Sequence, residues 1–450
     1  MKIRQIFVET DTVNRQKSDT TDLEFNKNGI DFNKEYSNGV SYTEGDIPSF
    51  WRSYILDPVR LALKYEVAYK VKSPDEIKKN RFSFRLEYSK LLFNKISLQV
   101  DTKISTYLKD DHRTRRSTFW INDYPNEANV SFGGRTPQAY LQTSFQKTSI
   151  RAGIQTLAWG ESDIASITDE ISPMDYREPL NLNLDELRVG QLMLTVDQYS
   201  PFGYWSGFFI PYPEFNRYPK KGSGYYYDPY NGSVDYQMET QNENFFEYGI
   251  RWKKTFGKSD VSIIGASLIN NDYASRMITP TLITQRKQRY SVAGVTFNYA
   301  IDNFLVKGEA AIKSPKVYND SSFQIVKKNN LDAYLGVDYS PNSTFTLSLE
   351  AVNYHVINWN DKIQGVPEDN YMMIISFSKL FMHDNLSVNW ITMYNGPYTN
   401  FFNLFTTSYK WNDHVTLYFD FLIPISNNIN SGLNIYRDQK QVAFKIQYQF

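Results

Sequence analysis

The stretch VAFKIQYQF, residues 442–450, alternates strictly between apolar or aromatic side chains and small or polar ones. Successive side chains of a β-strand point to opposite faces, so this stretch predicts a strand with one aromatic face and one wet face. The same period of two recurs in VRLALKYEVAYKV, residues 59–71, and in segments that begin near residues 82, 96, 246, 331, 345 and 415. Recurrence along the whole chain indicates an all-β protein.

The composition favours a barrel that lies in a membrane. Aromatic residues make up 16% of the 450 residues, more than a soluble core needs and typical of the aromatic girdles of membrane barrels. The mean hydropathy of −0.51 is compatible with this, because a barrel strand turns one face to lipid and the other to a polar lumen. The sequence has no apolar run of about 20 residues, which a helical span would need. We therefore expect a transmembrane, antiparallel, up-and-down β-barrel, with a soluble sandwich or propeller as the alternative.

Length and turn signals predict how the barrel is organised. Residues 1–50 are polar and predict an N-terminal extension or a plug, and residues 51–450 are expected to form the barrel. At roughly 10 membrane-embedded residues per strand, this length predicts about 18 strands, with 16 possible. Short links such as SPNST, residues 340–344, contrast with long polar stretches at residues 109–134 and 199–244. We therefore expect short periplasmic turns and long extracellular loops.

The chain ends and the charge balance suggest a compartment and partners. Tyr448 and Phe450 close the last predicted strand and resemble the signal read by the barrel-insertion machinery of the bacterial outer membrane. The absence of cysteine suits passage through an oxidising periplasm. The start MKIRQIFVET lacks the apolar core of a secretory signal, which for an outer-membrane barrel predicts a mature or recombinant sequence whose signal was removed. With 49 basic and 49 acidic residues, the expected partners are outer-membrane lipid and lipopolysaccharide rather than nucleic acid.

The middle of the chain, residues 153–197, combines a strand-like start with a run of charged residues. This run resembles an outer-membrane β-barrel family known only as a domain of unknown function, whose members carry W-G-E-x-D, an N-P-x-D-x-R-E-like stretch and an acidic D-x-R segment. At Ser172 the family pattern has Asn. The matching residues are Trp159, Gly160, Glu161, Asp163, Pro173, Asp175, Arg177, Glu178, Asp185, Glu186 and Arg188.

The resemblance implies a porin-like or export channel, and a looser similarity to alginate-export channels and porins covers the rest of the chain. For some members the family also implies a link to inner-membrane transporters of lipids or hydrophobic compounds. It implies no particular solute.

The residues themselves point to a structured loop. Within residues 161–188, the matching residues alone place six carboxylates and two guanidiniums between two predicted strands, and directional Arg–carboxylate bonds can hold such a segment in one conformation inside a wet lumen. An ion-paired external loop is the alternative. A structural calcium ion is the one cofactor considered, because hard cations bind clustered carboxylates. The predicted constriction or gating loop comprises Trp159, Glu161, Asp163, Asp175, Arg177, Glu178, Asp185 and Arg188.

The polar faces of the predicted strands carry opposite charge in the two halves of the chain. If they line opposite walls, the resulting field would orient small hydrated solutes, anions among them. Alternatively, the charges pair across neighbouring strands and only stiffen the wall. The predicted basic pore-lining residues are Arg60, Lys64, Arg81, Arg85, Lys103 and Arg151, and the predicted acidic ones are Asp332, Asp338, Glu350 and Asp420.

Tyrosines and histidines are candidates for binding and catalysis. The tyrosines of GSGYYYDPYNGS, residues 222–233, could form a platform for sugars, but we favour an anchor at the lipid headgroups. His383 and His414 each adjoin an aspartate at a predicted strand start, where turn-forming residues are expected. The sequence contains no phosphate loop, H-E-x-x-H motif or nucleophile elbow, so we expect no enzyme activity and no metal site beyond the calcium alternative.

The predicted function is passive diffusion of small hydrophilic solutes through a porin-like channel with a charged constriction. One alternative is an outer-membrane component of an export or lipid-transport assembly, with a periplasmic or inner-membrane transporter as partner. Another is a structural or adhesive barrel with a plugged lumen. An apolar lateral opening or a periplasmic docking surface would favour the first alternative, and a sealed lumen the second.

Overall fold

A computed structural model describes most of the chain from residue 52 onward. The described residues are 52–72, 76–93, 95–113, 130–162, 164–165, 167–178, 181, 184–221, 223–228, 230, 232–428 and 431–450. The predicted N-terminal extension or plug, residues 1–50, lies outside them, and the barrel itself begins at Val59 after one π-helical turn, Arg52–Leu56.

The structure is a closed antiparallel barrel of 18 strands, as the sequence predicts. The last strand, β21 (Gln441–Gln449), closes the barrel by pairing with the first, β1 (Val59–Lys70), over Ala62 to Lys70. Three further strands, β8, β11 and β12, form a separate small sheet. The strands are β1 (Val59–Lys70), β2 (Glu76–Leu92), β3 (Ile96–Tyr107), β4 (Ser131–Phe145), β5 (Thr148–Gln155), β6 (Gln191–Ser200), β7 (Gly203–Ile210), β8 (Asp235–Met238), β9 (Glu247–Phe256), β10 (Ser259–Ile269), β11 (Ala274–Thr279), β12 (Leu282–Arg286), β13 (Arg289–Ile301), β14 (Phe304–Asn319), β15 (Ile325–Asn342), β16 (Phe345–Ile357), β17 (Asp369–Phe381), β18 (Leu386–Gly396), β19 (Asn400–Lys410), β20 (Val415–Ser426) and β21 (Gln441–Gln449).

Helical structure is sparse. A four-residue α-helix, α1 (Leu184–Leu187), precedes β6, and a 3-10 turn, Gly432–Tyr436, lies between β20 and β21. Across the described residues, no helix has the length and apolar character needed to cross a membrane.

Burial alternates along the strands and separates a lipid face from a lumen face. In β2, Phe82 and Phe84 are 43% and 39% exposed, whereas the intervening Ser83 and the preceding Arg81 are buried. Exposed aromatic side chains suit contact with hydrocarbon, and buried polar ones suit the inside of a barrel. The alternating pattern therefore fixes which side chains line the lumen.

The two ends of the barrel differ. At one end, neighbouring strands are joined by two to four residues, as at 146–147, 257–258 and 343–344. The other end carries the long connections, which are residues 108–130, 156–190, 211–246, 270–288, 358–368 and 427–440. This matches the predicted contrast between short turns and long loops.

One predicted loop boundary is wrong. The stretch expected as a long loop, residues 199–244, contains the barrel strand β7. Its lumen-facing side chains include Phe208 and Ile210, which are buried, while Trp205 and Phe209 are exposed to the lipid side. Because both faces of β7 are apolar, the strand shows no alternation between apolar and polar residues.

Candidate functional site

The loop between β5 and β6, residues 156–190, folds into the lumen, and we call it the crosspiece. Trp159 is 1% exposed, and its ring lies edge-on to Phe208 at 5.2 Å between ring centroids. The Arg251 guanidinium lies 5.5 Å from the Trp159 ring, a distance at which cation–π attraction contributes. Ile167 and Ile171 share the same apolar core. Burial of these side chains fixes the crosspiece inside the barrel rather than above it.

On one side, the crosspiece is bound by Glu309 of β14. The Glu309 carboxylate accepts hydrogen bonds from the backbone N–H groups of Glu161 (2.6 Å), Ser162 (3.0 Å) and Thr168 (3.0 Å), and from the Thr168 hydroxyl (2.7 Å). The Ser162 hydroxyl donates to Glu350 of β16 at 2.8 Å. Four donors on one carboxylate make a strong, directional anchor.

A second anchor on β14 involves Glu170 of the crosspiece. Its carboxylate lies 2.6 Å from Lys313 and 3.3 Å from Lys316, and it accepts a hydrogen bond from the Tyr290 hydroxyl. Burial raises the pKa of Glu170, but Lys313 and Lys316 outweigh it and hold that pKa well below its usual range. The carboxylate is therefore ionised when it binds this wall.

On the opposite side, Glu178 of the crosspiece binds β2. Its carboxylate pairs with Arg81 and lies 2.8 Å from Lys79. These cations outweigh the effect of burial and lower the pKa of Glu178 well below its ordinary value. His112, in the loop after β3, places Nε2 3.5 Å from Glu178, and burial lowers the pKa of His112 to about 4. A neutral histidine and an ionised carboxylate thus meet at this anchor near neutral pH.

The remaining charged residues of the crosspiece bond to each other or to neighbouring strands and loops. Arg177 donates to Asp175 at 2.7 Å, and Arg188 donates through Nε to Asp169 at 3.1 Å. Glu161 accepts from the Asn298 amide at 3.0 Å. Asp163 lies outside the described residues, as does the side chain of Asp185. The structure therefore brings the other predicted constriction residues, Trp159, Glu161, Asp175, Arg177, Glu178 and Arg188, into one inward-folded loop.

The positions of the anchoring strands show how far the crosspiece reaches. In the ring of 18 strands, β2 is the second and β14 the eleventh, so nine steps separate them in either direction. Glu186 adds a pair with Lys103 of β3 at 3.2 Å, beside the β2 anchor. The crosspiece therefore spans the full width of the lumen between opposite walls.

The predicted pore-lining charges lie mostly in ion pairs. Lys64 faces the lumen over the Tyr418 ring, and Arg60 is exposed. The expected field across the lumen stays a prediction, and the observed geometry is that of charges paired with neighbours. The pairs are Arg81–Asp111 (2.8 Å), Arg85–Asp101 (2.8 Å), Lys103–Glu186 (3.2 Å), Arg151–Asp197 (3.1 Å), Lys313–Asp332 (2.7 Å), Lys307–Asp338 (3.0 Å), Lys307–Glu350 (3.4 Å) and Lys445–Asp420 (2.7 Å).

The sequence prediction missed the residues of β14 that hold the crosspiece. Glu309 and Lys313 sit on the polar face of β14, and Glu170, the partner of Lys313, lies in the acidic segment but outside the motif. The signal in the sequence was a charge at every second to fourth position of this strand, at residues 307, 309, 313 and 316. Such a pattern predicts a lumen face but cannot name a partner more than 140 residues away.

The tyrosine-rich segment is divided between two environments. Tyr226 and Tyr227 are exposed, whereas Tyr225 is 4% exposed and exchanges hydrogen bonds with Gln441. Its ring lies 4.7 Å from that of His112. Tyr225 therefore packs inside the long-loop end and does not sit at the lipid headgroups as expected.

The remaining predicted features can also be placed. Among the side chains that the structure describes, no three acidic or histidine residues come together to hold a metal ion; because Asp163 and Asp185 are outside that set, the calcium alternative stays untested. At the C-terminus, Tyr448 and Phe450 are exposed on the lipid side, and the Phe450 N–H donates to Leu61 at 3.0 Å. These positions leave both aromatic rings accessible.

Comparison with known proteins identifies a family and a fold. Residues 99–450 match the family described as "Protein of unknown function (DUF1302)", and no curated protein matches. The structure is similar to OccAB1 of Acinetobacter baumannii, with a TM-score of 0.51 and 10% identity over 89% of this chain and 97% of that one. It is also similar to OccAB4 of the same organism, with a TM-score of 0.50 and 10% identity over 87% and 97%. At this identity the likeness shows the fold alone, which is that of porin-like outer-membrane barrels.

Proposed function

This chain belongs to the DUF1302 family, and we propose that it is an outer-membrane channel for passive diffusion of small hydrophilic solutes, narrowed by the crosspiece. The proposal includes no catalytic step. One observation carries it, namely that the crosspiece is bonded to both β2 and β14 on opposite sides of the lumen. A loop fixed in this way restricts the passage at one level of the barrel.

The size of the barrel supports a passage. Barrels of 16 to 18 strands leave an aqueous channel unless loops fill it. The lumen faces outside the crosspiece contain small polar side chains such as Ser348, Ser376 and Thr416. These hydroxyl groups can exchange hydrogen bonds with water and with hydrated solutes.

The ion pairs bear on which solutes pass. Arg85 and Arg151 each lie against a wall carboxylate, Asp101 and Asp197 respectively. A paired arginine attracts a passing anion less than a free one, because the carboxylate offsets its charge at distances beyond a few ångströms. We therefore propose small hydrophilic solutes with only a weak preference for anions.

Planar-bilayer recordings test this function. The wild-type protein should give stable single-channel conductance. The double variant Glu178→Gln/Glu309→Gln weakens one anchor of the crosspiece on each side of the lumen, and its conductance should rise about twofold or fluctuate between levels, since a loop with weakened anchors can move within the passage. The matched control Glu243→Gln/Glu368→Gln removes two exposed loop carboxylates and should conduct like the wild type.

Two results would overturn the proposal. One is the absence of conductance from wild-type protein that is folded, as judged by its heat-dependent mobility in detergent gels. The other is identical conductance of the anchor variant and its control, which would mean that the crosspiece does not set the width of the passage.

A further inference from the structure

The lumen wall made by β17, β18 and β19 is uncharged. These three strands are fully described, and apart from Lys410 at the short-turn rim their lumen faces hold no acidic or basic residue. The charged residues Asp369 and Lys379 belong to the outward-facing row of β17. No other run of three neighbouring barrel strands described here shares this property.

An apolar patch occupies the middle of this wall. Ile374, Ile391, Met393 and Phe402 are each 8% exposed or less and belong to the apolar cluster that also contains Leu422 of β20 and the crosspiece residues Trp159, Ile167 and Ile171. Half-buried side chains pack against this cluster; these include Tyr354, Met372, Leu404 and Tyr436. Their lipid-facing neighbours, such as Met373 and Trp390, form a separate exposed row. A water channel does not need such a patch, because lumen faces of barrels are ordinarily polar.

Buried hydrogen-bond acceptors lie on both sides of the patch along the strands. Toward the short turns, Asn389 is 8% exposed, and within the described residues its Oδ1 has no hydrogen-bond partner. Toward the long loops, Asn400 and its cross-strand neighbour Ser426 are 2% and 6% exposed, and their Oδ1 and Oγ atoms likewise find no partner in the described part of the chain. Buried polar atoms are nearly always hydrogen-bonded, so these oxygens indicate a donor that the described part of the chain does not supply.

The amide nitrogens of both asparagines are already engaged. Asn389 donates to Ser387 at 3.1 Å, and Asn400 donates to Ser431. Their side chains are thus oriented with the carbonyl oxygen left over. A ligand that meets these oxygens must supply N–H or O–H donors.

We propose that this wall, which we call the neutral site, binds an uncharged solute that has an apolar body and N–H or O–H donors. The carboxylate of an anionic solute would place its acceptor oxygens against the acceptor oxygens of the wall. Apart from Lys410 at the rim, the lumen faces of the three strands hold no cation to offset that repulsion. An ammonium would be buried against the patch without a counter-charge, which is costly. The inference rests on the proposed function in one respect, namely that the bound solute would be one that passes through the channel.

Three small probes distinguish the contributions that the apolar body, the N–H donors and the charge of a solute make to binding. N-acetylphenylalaninamide is neutral and has a phenyl body, N-acetylphenylalanine has the same body with a carboxylate, and N-acetylglycinamide keeps the donors without the body. Equilibrium dialysis against the full-length protein in detergent should show that N-acetylphenylalaninamide binds about tenfold more tightly than either of the other probes. N-acetylphenylalanine lacks charge neutrality, and N-acetylglycinamide lacks the apolar body.

Single substitutions then locate the site. Ile391→Thr makes the patch polar with little change of shape, and Asn389→Leu removes an acceptor; each should weaken binding of N-acetylphenylalaninamide about threefold or more. Val292→Thr makes the same kind of change on β13, outside the neutral site, and should leave binding unchanged. Two different variants keep the test usable if one of them fails to fold.

Failure of this inference can be distinguished from failure of the proposed function. Equal binding of the neutral and carboxylate probes, or unchanged binding in both site variants, would overturn the neutral site even if ion conductance is normal. Absence of conductance would overturn the channel function, while dialysis would still decide the neutral site.

Discussion

Two parts of the lumen wall use opposite chemistry. The wall around β2 and β3 is rich in charge, with Arg81 and Lys103 bonded to the crosspiece. The wall of β17 to β19 carries aliphatic, aromatic and uncharged polar side chains, among them Ile374 and Phe402. Both walls are buried, yet only the first is touched by the charged part of the crosspiece. The difference shows that charge on the wall of β2 and β3 fixes a loop in direction and position, a role that the uncharged wall does not have.

This arrangement has a physical reason. An arginine–carboxylate pair is directional and specifies one geometry, whereas apolar contact is non-directional. A loop that spans the lumen needs directional ion pairs at the points farthest from β5 and β6, where no backbone continuity holds it. The uncharged wall has no such demand, and the proposed neutral site assigns it a different role.

The largest expected effect comes from removing one charge at the crosspiece anchor. Arg81→Ala leaves the buried Asp111 without its main partner and Glu178 with Lys79 and the neutral His112. Breaking a buried ion pair on one side costs about 3–5 kcal/mol. We expect a loss of this size in the free energy of unfolding, measured by urea titration in lipid vesicles.

The uncharged wall provides the matched measurement. Ser376→Ala removes a buried hydroxyl from β17 and should change the free energy of unfolding by less than about 1 kcal/mol. Similar losses in the two variants would contradict the view that charge at β2 carries the anchoring.

A smaller effect is expected from pH. His112 faces Glu178, Arg81 and Asp111, and burial lowers its pKa to about 4 in the folded protein. The unfolded chain binds a proton at this histidine below a pH of about 6.5. Because the folded pKa is the lower one, stability is full above that pH and falls as the pH drops toward 4, by about 1 kcal/mol at pH 5.5.

A double comparison isolates this histidine. His112→Asn can keep the hydrogen bond that His112 shares with Ser223 but cannot titrate. The loss of unfolding free energy between pH 7 and pH 5.5 should therefore be smaller in this variant than in the wild type. His355→Asn, which changes an exposed histidine bound to Asp369, should retain the wild-type loss. Equal pH dependence in all three proteins would show that His112 is not buried in its neutral form.

The fold could be predicted from the sequence because its signal is local. Alternation of side chains depends only on neighbouring residues, and in β1 or β21 it is strict enough to assign both faces. The prediction failed at β7, where Phe208 and Ile210 face inward against Trp159 and its neighbours. There the packing of a distant loop made the inner face apolar and removed the alternation.

The constriction could be predicted only in part. The charge density of residues 161–188 indicated an ordered loop, but its orientation depends on partners such as Glu309 and Lys313. Those contacts join residues more than 140 positions apart, and spacing in the sequence says nothing about which strand lies across a barrel. The sequence prediction also missed the uncharged wall, because it was based on charged residues and this wall is defined by their absence.

The smallest expected effect concerns ion selectivity. Arg85→Ala/Arg151→Ala leaves Asp101 and Asp197 without these partners and makes the charged wall more negative by two charges. Unpaired carboxylates on a lumen wall attract cations. We expect the cation-to-anion permeability ratio, taken from reversal potentials in a salt gradient, to rise about two- to threefold.

The reverse change tests whether pairing is the cause. Asp101→Asn/Asp197→Asn removes one carboxylate partner from each of the same two arginines, while Arg85 keeps Glu87 at 3.2 Å, and should shift the ratio toward anions by a similar factor. The quadruple variant removes both members of each pair and should return close to the wild-type ratio, because the intact pairs contribute little net charge. A quadruple variant that stays as cation-selective as the arginine variant would mean that other wall residues set the selectivity. In that case the charged wall would act on ions over its whole length, and the contrast with β17 to β19 would extend from loop anchoring to permeation.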